Sequence, residues 1–236
     1  MRSVILHYHL FKNAGTSLDR VLQRNFGTAW RDREFALSTD GNTPQVAQWI
    51  RETPEAIAFS SHTAIGALPV LADIRLFTIL FLRDPIDRIV SAYTFERNQK
   101  SDSAGAVLAK TTDLAGYVRA RLAVPGDRQC LNFQTHRLAA LVPGPAPELD
   151  RARQALRRIS FAGLVDHFEA SGRALETQLQ KSWPAFRFFE VHANRASQRE
   201  ARNTIDPDLH ELLRRNNTDD LAILAEVGKT PVVNGW

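Results

Sequence analysis

The chain has 236 residues, of which 44% are hydrophobic and 24% are charged, and its formal net charge is +4. This composition is typical of a packed globular protein, and the length favours a single domain over residues 1–236. Acidic residues are interspersed among the basic ones, which argues against nucleic-acid binding. The sequence contains no apolar run of the roughly 20 residues that a membrane span requires. A single cysteine, Cys130, excludes an internal disulfide and favours a reducing, cytoplasmic location.

Short apolar segments alternate with helix-forming segments in the first half of the chain, and the second half is mainly helical in pattern. This order predicts an α/β fold with a central, mainly parallel sheet of about five strands flanked by helices. The predicted strands cover residues 4–10, 56–60, 75–82, 161–165 and 186–191. The predicted helices cover residues 17–26, 84–97, 113–122, 131–141, 148–159, 167–179, 207–216 and 218–227, and another begins at Thr43. The small, polar segment 100–112 is expected to be a flexible loop or lid.

The segment between the first predicted strand and the first predicted helix has the composition of an anion-binding loop. Gly15 lets the backbone approach a ligand closely, and the N–H groups that open a helix point at an anion there. Lys12 adds a positive charge, while Thr16 and Ser17 add hydroxyl donors. The same residues also suit a plain strand–turn–helix corner. The loop departs from the G-x-x-x-x-G-K-[ST] pattern of nucleoside triphosphatases, because its lysine precedes the glycine.

A second candidate motif, R-D-P-I-D-R-I-V-S-A-Y, begins at Arg83 and follows the third predicted strand. Arg83 stands at the carboxyl end of that strand, where ligands bind in open parallel sheets. Asp84 can cap the next helix, and Pro85 suits its first turn. Ser91 lies two turns into the helix, on the same face as Asp84. A capped helix with local ion pairs is the alternative interpretation.

Together the two motifs resemble the sulfotransferase superfamily, whose members take the sulfuryl group from 3′-phosphoadenosine 5′-phosphosulfate (PAPS). Residues 12–17 resemble its 5′-phosphosulfate loop, P-K-[TA]-[GA]-[GT]-T-[ST]. Phe11 replaces the proline of that pattern, and Asn13 replaces a threonine or another small residue. Residues 83–93 resemble its 3′-phosphate motif, R-D-P-x-x-R-x-x-S-x-Y, almost letter for letter. The resemblance implies a single P-loop-type domain.

Three further segments resemble the branch that contains carbohydrate sulfotransferases, including the heparan sulfate 2-O-sulfotransferase type. They are His62 after the second predicted strand, the helix at 132–139, and the segment 161–168. The order of these motifs agrees with that branch over residues 4–165. The resemblance therefore favours a carbohydrate or another small hydroxylated molecule as the sulfate acceptor.

The resemblance also implies a role for each site residue. Lys12 would stabilise negative charge on the bridging oxygen that leaves sulfur. His62 is the candidate general base, because a histidine near neutral pKa suits that role, and a strand-end histidine satisfied by backbone hydrogen bonds is the alternative. PAPS would be the donor, adenosine 3′,5′-bisphosphate (PAP) the product, and no metal would be required. The donor would be held by Lys12, Asn13, Ala14, Gly15, Thr16, Ser17, Arg83 and Ser91, the last two on its 3′-phosphate.

Other polar residues are expected to play supporting roles. His7 and His9 lie on the first predicted strand and are expected to pack or to support other side chains. Arg195 and Arg199 belong to a basic segment after the last predicted strand, which either folds over the nucleotide or is a solvated loop.

Two other functions stay open at this stage. A P-loop kinase that phosphorylates a small molecule with ATP requires Mg²⁺ and an acidic ligand at a strand end. Asp73 or Asp84 could supply that ligand only awkwardly. A non-catalytic nucleotide- or glycan-binding module would have kept the fold without its chemistry, and the presence of both Lys12 and His62 argues against it. The resemblance therefore implies in-line transfer of a sulfuryl group from PAPS to a hydroxyl group, with the kinase as the alternative.

Overall fold

The computed structural model describes residues 1–36, 38, 41–189 and 205–234. One six-stranded sheet forms its centre. The strands are β1 (Arg2–Tyr8), β2 (Trp30–Asp32), β3 (Ala58–Ser61), β4 (Ile74–Leu82), β5 (Phe161–Leu164) and β6 (Val232–Val233). Their order across the sheet is β2-β3-β1-β4-β5-β6, and all neighbours are parallel except β6, which pairs antiparallel with β5. The predicted α/β fold with a mainly parallel sheet is confirmed.

Ten α-helices flank this sheet in the described ranges. They are α1 (Gly15–Phe26), α2 (Thr43–Glu52), α3 (Pro85–Asn98), α4 (Ala104–Thr111), α5 (Leu114–Ala123), α6 (Phe133–Ala140), α7 (Glu148–Arg158), α8 (Phe168–Leu179), α9 (Pro207–Asn216) and α10 (Thr218–Val227). None of these helices combines the length and the apolar character needed to cross a membrane. Helix α3 begins where the sequence predicts, because the Asp84 carboxylate accepts hydrogen bonds from the N–H groups of Ile86 and Asp87.

The strand β1 lies in the middle of the sheet, and its apolar residues are therefore buried on both faces. Side chains alternate between the two faces of a strand. Leu6 packs on one face with Trp49 of α2, whereas Ile5 packs on the other with Leu18 and Leu22 of α1. A parallel sheet covered by helices on both sides explains why this segment is apolar throughout.

The prediction of a flexible loop or lid at 100–112 is wrong for most of that segment, which forms α4. The hydroxyl group of Ser103 accepts a hydrogen bond from the N–H of Ala106 and so caps the helix. Gly105 allows the helix to pack closely, because a Cβ atom there would lie 2.3 Å from the Arg121 guanidinium and 2.6 Å from the Glu96 carboxylate. Small residues thus mark a tightly packed helix in this segment.

The strand predicted at 186–191 is wrong over its described part, since residues 186–189 belong to no strand. Phe186 and Phe188 are nevertheless buried in the core cluster on the α1 side of the sheet. Apolar residues alternate in this segment because the two phenylalanines pack into the core, and not because the segment pairs with a neighbouring strand. The short strands β2 and β6 were not predicted.

Candidate functional site

The loops after β3, β1 and β4 meet at one edge of the sheet, because these three strands are parallel neighbours. A cavity of about 240 Å³ opens at that edge. It brings together every residue that the sequence assigned to the site except Asn13. The lining residues from that set are Lys12, Ala14, Gly15, Thr16, Ser17, His62, Arg83 and Ser91.

The loop before α1 presents backbone N–H groups to this cavity. Lys12 and Ala14 adopt left-handed conformations, with φ of 64° and 59°, which are uncommon for residues other than glycine. No acceptor within the described chain pairs with the N–H groups of Ala14, Gly15 and Thr16. These three donors stand at the positive end of the α1 dipole, and the arrangement is that of an anion-binding loop.

Gly15 is required by the packing of the loop against a histidine. A Cβ atom at this position would lie 1.9 Å from Cδ2 of His9 and 2.2 Å from its Nε2. Any larger residue would displace either the His9 ring or the loop. The glycine therefore sets the depth of the loop in the cavity.

Asn13 does not line the cavity but anchors the loop from behind. Its side chain is buried, and Nδ2 donates to the carbonyl of Phe81 at 2.8 Å and to Oε1 of Gln134 at 2.7 Å. Its backbone N–H donates to the carbonyl of Leu10. Both of its N–H donor groups are therefore engaged within the protein, and the expected contact of Asn13 with the donor stays a prediction.

Arg83 and Ser91 form the opposite wall of the cavity. Both are buried, and the Nη1 group of Arg83 donates to the carbonyl of Lys12 at 3.0 Å. Burial lowers the pKa of Arg83, an effect that the nearby carboxylates of Asp87, Asp166 and Asp84 oppose. The second arginine of the motif, Arg88, lies outside the cavity.

Arg88 is fully buried below the cavity and has a structural role. Its guanidinium donates to the backbone carbonyl of Gln129 and lies 4.6 Å from the ring centroid of Phe133. It thereby joins α3 to the segment that leads into α6.

The ammonium group of Lys12 rests on an aromatic ring. Its Nζ atom lies 4.4 Å from the ring centroid of Phe95, which in turn makes an edge-to-face contact with Phe11. Lys12 forms no ion pair within the described residues. Its burial, together with the charge of Arg83, lowers the pKa of Lys12. Two cationic side chains therefore share a partly buried site, and a bound anion would stabilise both charges.

His62 is held by a carboxylate that the sequence analysis did not identify. Its Nδ1 lies 2.7 Å from Oε1 of Glu34, which also accepts a hydrogen bond from the backbone N–H of His62. Burial alone would raise the pKa of Glu34, but hydrogen bonds from Thr63 and His62 outweigh this effect and lower it. When Nδ1 carries the proton that Glu34 accepts, Nε2 keeps a lone pair and can accept a proton.

A second histidine–carboxylate cluster lies directly behind His62. The Asp19 carboxylate contacts Nδ1 of His7 at 2.8 Å and Nδ1 of His9 at 2.7 Å. Burial would raise the pKa of Asp19, but the two histidines outweigh it and hold the pKa far below its usual range. The His9 ring lines the cavity, and its centroid lies 3.6 Å from that of His62.

This cluster also has the composition of a metal site. His7, His9 and Asp19 offer ligand atoms within 4.8 Å of one another. However, hydrogen bonds to Asp19 already occupy one nitrogen of each ring and both carboxylate oxygens. Through these hydrogen bonds Asp19 joins both rings and supports the wall of the cavity at His9.

Comparison with known proteins agrees with this geometry. The sequence profile of the sulfotransferase family matches residues 1–228. The chain belongs to the sulfotransferase family. An uncharacterized protein from Archaeoglobus fulgidus is 35% identical over 243 aligned positions, which cover 96% of each chain. The resemblance to the superfamily is thus confirmed, while the closer relation to carbohydrate sulfotransferases stays a prediction.

Two carboxylates of this sulfotransferase site were missed by sequence reasoning. Glu34 lies in an irregular segment after β2, 28 residues before the histidine that it contacts, and no local pattern marks it. Asp19 could have been found, because His7 near the end of β1 and His9 just after it are two residues apart, and Asp19 is in the first turns of the helix that follows. Arg195 and Arg199, which were predicted either to fold over the nucleotide or to lie in a solvated loop, are outside the described residues.

Proposed function

We propose that this sulfotransferase transfers a sulfuryl group from PAPS to a hydroxyl group by in-line displacement. The acceptor oxygen forms a bond to sulfur as the bond from sulfur to the 5′-phosphate oxygen breaks, which leaves PAP. The observation that carries the proposal is the meeting of an anion-binding loop, Lys12 and the oriented His62 around one cavity. The loop would bind the donor, Lys12 would stabilise the leaving group, and His62 would accept the proton of the acceptor hydroxyl group.

The donor would bind through both walls of the cavity. The N–H groups of Ala14, Gly15 and Thr16, with Lys12 and the hydroxyl groups of Thr16 and Ser17, suit its 5′-phosphosulfate group. Arg83 and Ser91 suit its 3′-phosphate. The donor itself would supply an activated sulfuryl group.

The two catalytic roles follow from the charges and contacts of the side chains. Lys12 would stabilise the negative charge that develops on the leaving phosphate oxygen, because a cation in a partly buried site acts strongly on such charge. His62 would accept the hydroxyl proton at Nε2, while Glu34 holds its ring in place.

We further propose a carbohydrate as the acceptor and a cytoplasmic location. The resemblance of His62 and of the α6 region to carbohydrate sulfotransferases supports the acceptor class. Phe95, which is 44% exposed beside the cavity, offers a ring against which the C–H face of a sugar could stack. The cytoplasmic location rests on the single, buried cysteine, Cys130.

The kinase alternative loses support from the positions of its two candidate magnesium ligands. Asp73 precedes the first residue of β4 and lies at the amino end of the strand, whereas the cavity is at the carboxyl end. The carboxylate of Asp84 caps α3 through two backbone N–H groups. Neither aspartate is placed as an Mg²⁺ site beside the loop requires.

PAP is expected to raise the melting temperature of the protein in the presence of EDTA, and ATP with Mg²⁺ is expected to raise it much less. A ligand that binds only the folded state adds about 2.7 kcal/mol of stability at a hundred times its Kd. Thermal-shift titration measures this effect, with adenosine as the control that lacks both phosphates. A larger shift with ATP and Mg²⁺ would favour the kinase.

The transfer itself is tested by incubating the protein with isotopically labelled PAPS and a panel of glycans, phenols and small alcohols. We expect one acceptor class to gain a labelled SO₃ group, detected by mass spectrometry, with equimolar release of PAP. Release of inorganic sulfate alone, with every acceptor, would contradict the proposed transfer.

Arg83→Ala is expected to weaken binding of PAPS by on the order of tenfold or more, and Ser91→Ala by less. A charge-assisted hydrogen bond is roughly twice as strong as a neutral one, and every 1.4 kcal/mol changes Kd tenfold. Adenosine 5′-phosphosulfate lacks the 3′-phosphate, so its Kd should change little in either variant. Calorimetric titration of both donors makes the comparison. If a variant lost the same factor of affinity for PAPS and for adenosine 5′-phosphosulfate, the replaced residue would only support the fold.

A further inference from the structure

The side chain of Gln134 contacts both halves of the proposed donor site, although it belongs to neither motif. Gln134 is the second residue of α6, is 1% exposed, and does not line the cavity. Its Oε1 accepts hydrogen bonds from Nδ2 of Asn13 at 2.7 Å and from the backbone N–H of Arg83 at 2.8 Å. Its Nε2 donates to the carbonyl of Arg83 at 2.8 Å. One amide group thus joins the phosphate loop to the residue assigned to the 3′-phosphate.

The position of Gln134 is fixed from the other side by Asp220 of α10. This carboxylate is fully buried and accepts hydrogen bonds from the backbone N–H groups of Gln134 at 3.2 Å and Thr135 at 2.7 Å. It also accepts from the hydroxyl group of Thr135 at 2.8 Å. A carboxylate at a helix N-terminus stabilises the helix through its N–H groups and its dipole. Helix α6 therefore begins at a defined place relative to the site.

Only an amide side chain can make this set of contacts. A carboxamide has an oxygen that accepts two hydrogen bonds and a nitrogen that donates two. Here the oxygen accepts hydrogen bonds from Asn13 and from the Arg83 N–H. The nitrogen donates to the Arg83 carbonyl and makes a longer contact of 3.4 Å with Asp220. Both polar atoms of the Gln134 amide thus have partners, whereas Oδ1 of Asn13 is buried without one among the described residues. Hydrogen bonds in such a buried network are strong and favour one geometry.

We propose that Gln134 is a positioning residue that sets the distance between the 5′-phosphosulfate loop and Arg83. This inference rests on the proposed function, because it concerns a donor that carries phosphates at both ends. When the two walls are held at the matching distance, such a donor engages both without a further ordering cost. Without the contacts of Gln134, the two walls stay joined only by the hydrogen bond from Nη1 of Arg83 to the Lys12 carbonyl, and each wall still binds its own phosphate. The second phosphate contact then follows less readily from the first, because the distance between the walls is held less firmly.

The test compares a ligand that spans both walls with two ligands that each reach one wall. The ligands are PAP, adenosine 5′-monophosphate and adenosine 3′-monophosphate, titrated by calorimetry into the wild type and the Gln134→Met variant. Methionine has a similar length but removes the polar contacts. We expect the affinity for PAP to fall roughly tenfold or more, within the range of coupling between neighbouring sites, and the two monophosphate affinities to change by less than about threefold.

The matched control is Thr78→Val, which also removes a buried polar group from a network near β4. The Thr78 hydroxyl accepts from the N–H of Ser160 at 2.9 Å, and neither residue lines the cavity. Thr78→Val should lower the melting temperature without changing the three affinities. A loss of the same factor for all three ligands in Gln134→Met, or an unchanged affinity for PAP, would overturn the inference.

A second variant keeps the test informative if Gln134→Met does not fold. Gln134→Asn keeps an uncharged amide but shortens it by one methylene group, so that the amide no longer reaches Asn13 and Arg83 together. We expect it to lose PAP affinity selectively, by a smaller factor than the methionine variant. Equal losses for PAP and both monophosphates would overturn the inference here as well. Failure of the wild type to bind PAP would instead overturn the proposed function.

Discussion

Replacing His62 with alanine is expected to lower turnover by about 10²- to 10⁴-fold, the usual contribution of a general base. The affinity for PAP and the melting temperature should change little. The side chain is 49% exposed, and its loss leaves no large cavity in the core. Steady-state kinetics with saturating acceptor, together with PAP titration and a thermal scan, measure the three quantities.

The asparagine variant of His62 separates proton transfer from positioning. His62→Asn can still hydrogen-bond to Glu34 and to the acceptor, but it cannot take a proton at neutral pH. It should therefore be nearly as inactive as the alanine variant. Substantial activity would mean that His62 only positions the acceptor. The base would then be sought in His9, whose ring stacks on His62 and lines the same cavity.

Replacing Lys12 with alanine is expected to lower kcat by on the order of 10²- to 10³-fold, the loss seen when a group that stabilises transition-state charge is removed. The Kd for PAPS should rise by a smaller factor, because the charge on the bridging oxygen is largest as the bond to sulfur breaks. Single-turnover kinetics and donor titration separate the two effects.

Lys12→Met is the matched control for the shape of this side chain. It keeps an unbranched stem against Phe95 and the same backbone conformation while removing the charge. Its kcat should fall as far as that of Lys12→Ala if the charge is responsible. An unchanged kcat with a raised KM for PAPS, in either variant, would make Lys12 a binding residue alone.

Local sequence signals determined the fold class and most of the residues that line the cavity. Helices α9 and α10 were predicted with the bounds that the structure has, because apolar periodicity and capping residues act within a few residues of one another. The phosphate loop and the Arg83 motif were found for the same reason, since each lies between a strand and the helix that follows it. The parallel order of the strands then brings both to one edge.

Tertiary contacts decided which residues support that site and which segments the sequence analysis misassigned. The side chain of Asn13, which the sequence predicts as a donor contact, donates a hydrogen bond to Gln134, which is 121 residues distant in sequence. Glu34 and His62 are partners although they lie 28 positions apart in the sequence. Helix α4 formed where polarity predicted a lid, because Gly105 allows close packing against Glu96 and Arg121. In each case the deciding partner lies well outside the local segment, so its identity depends on how the whole chain folds.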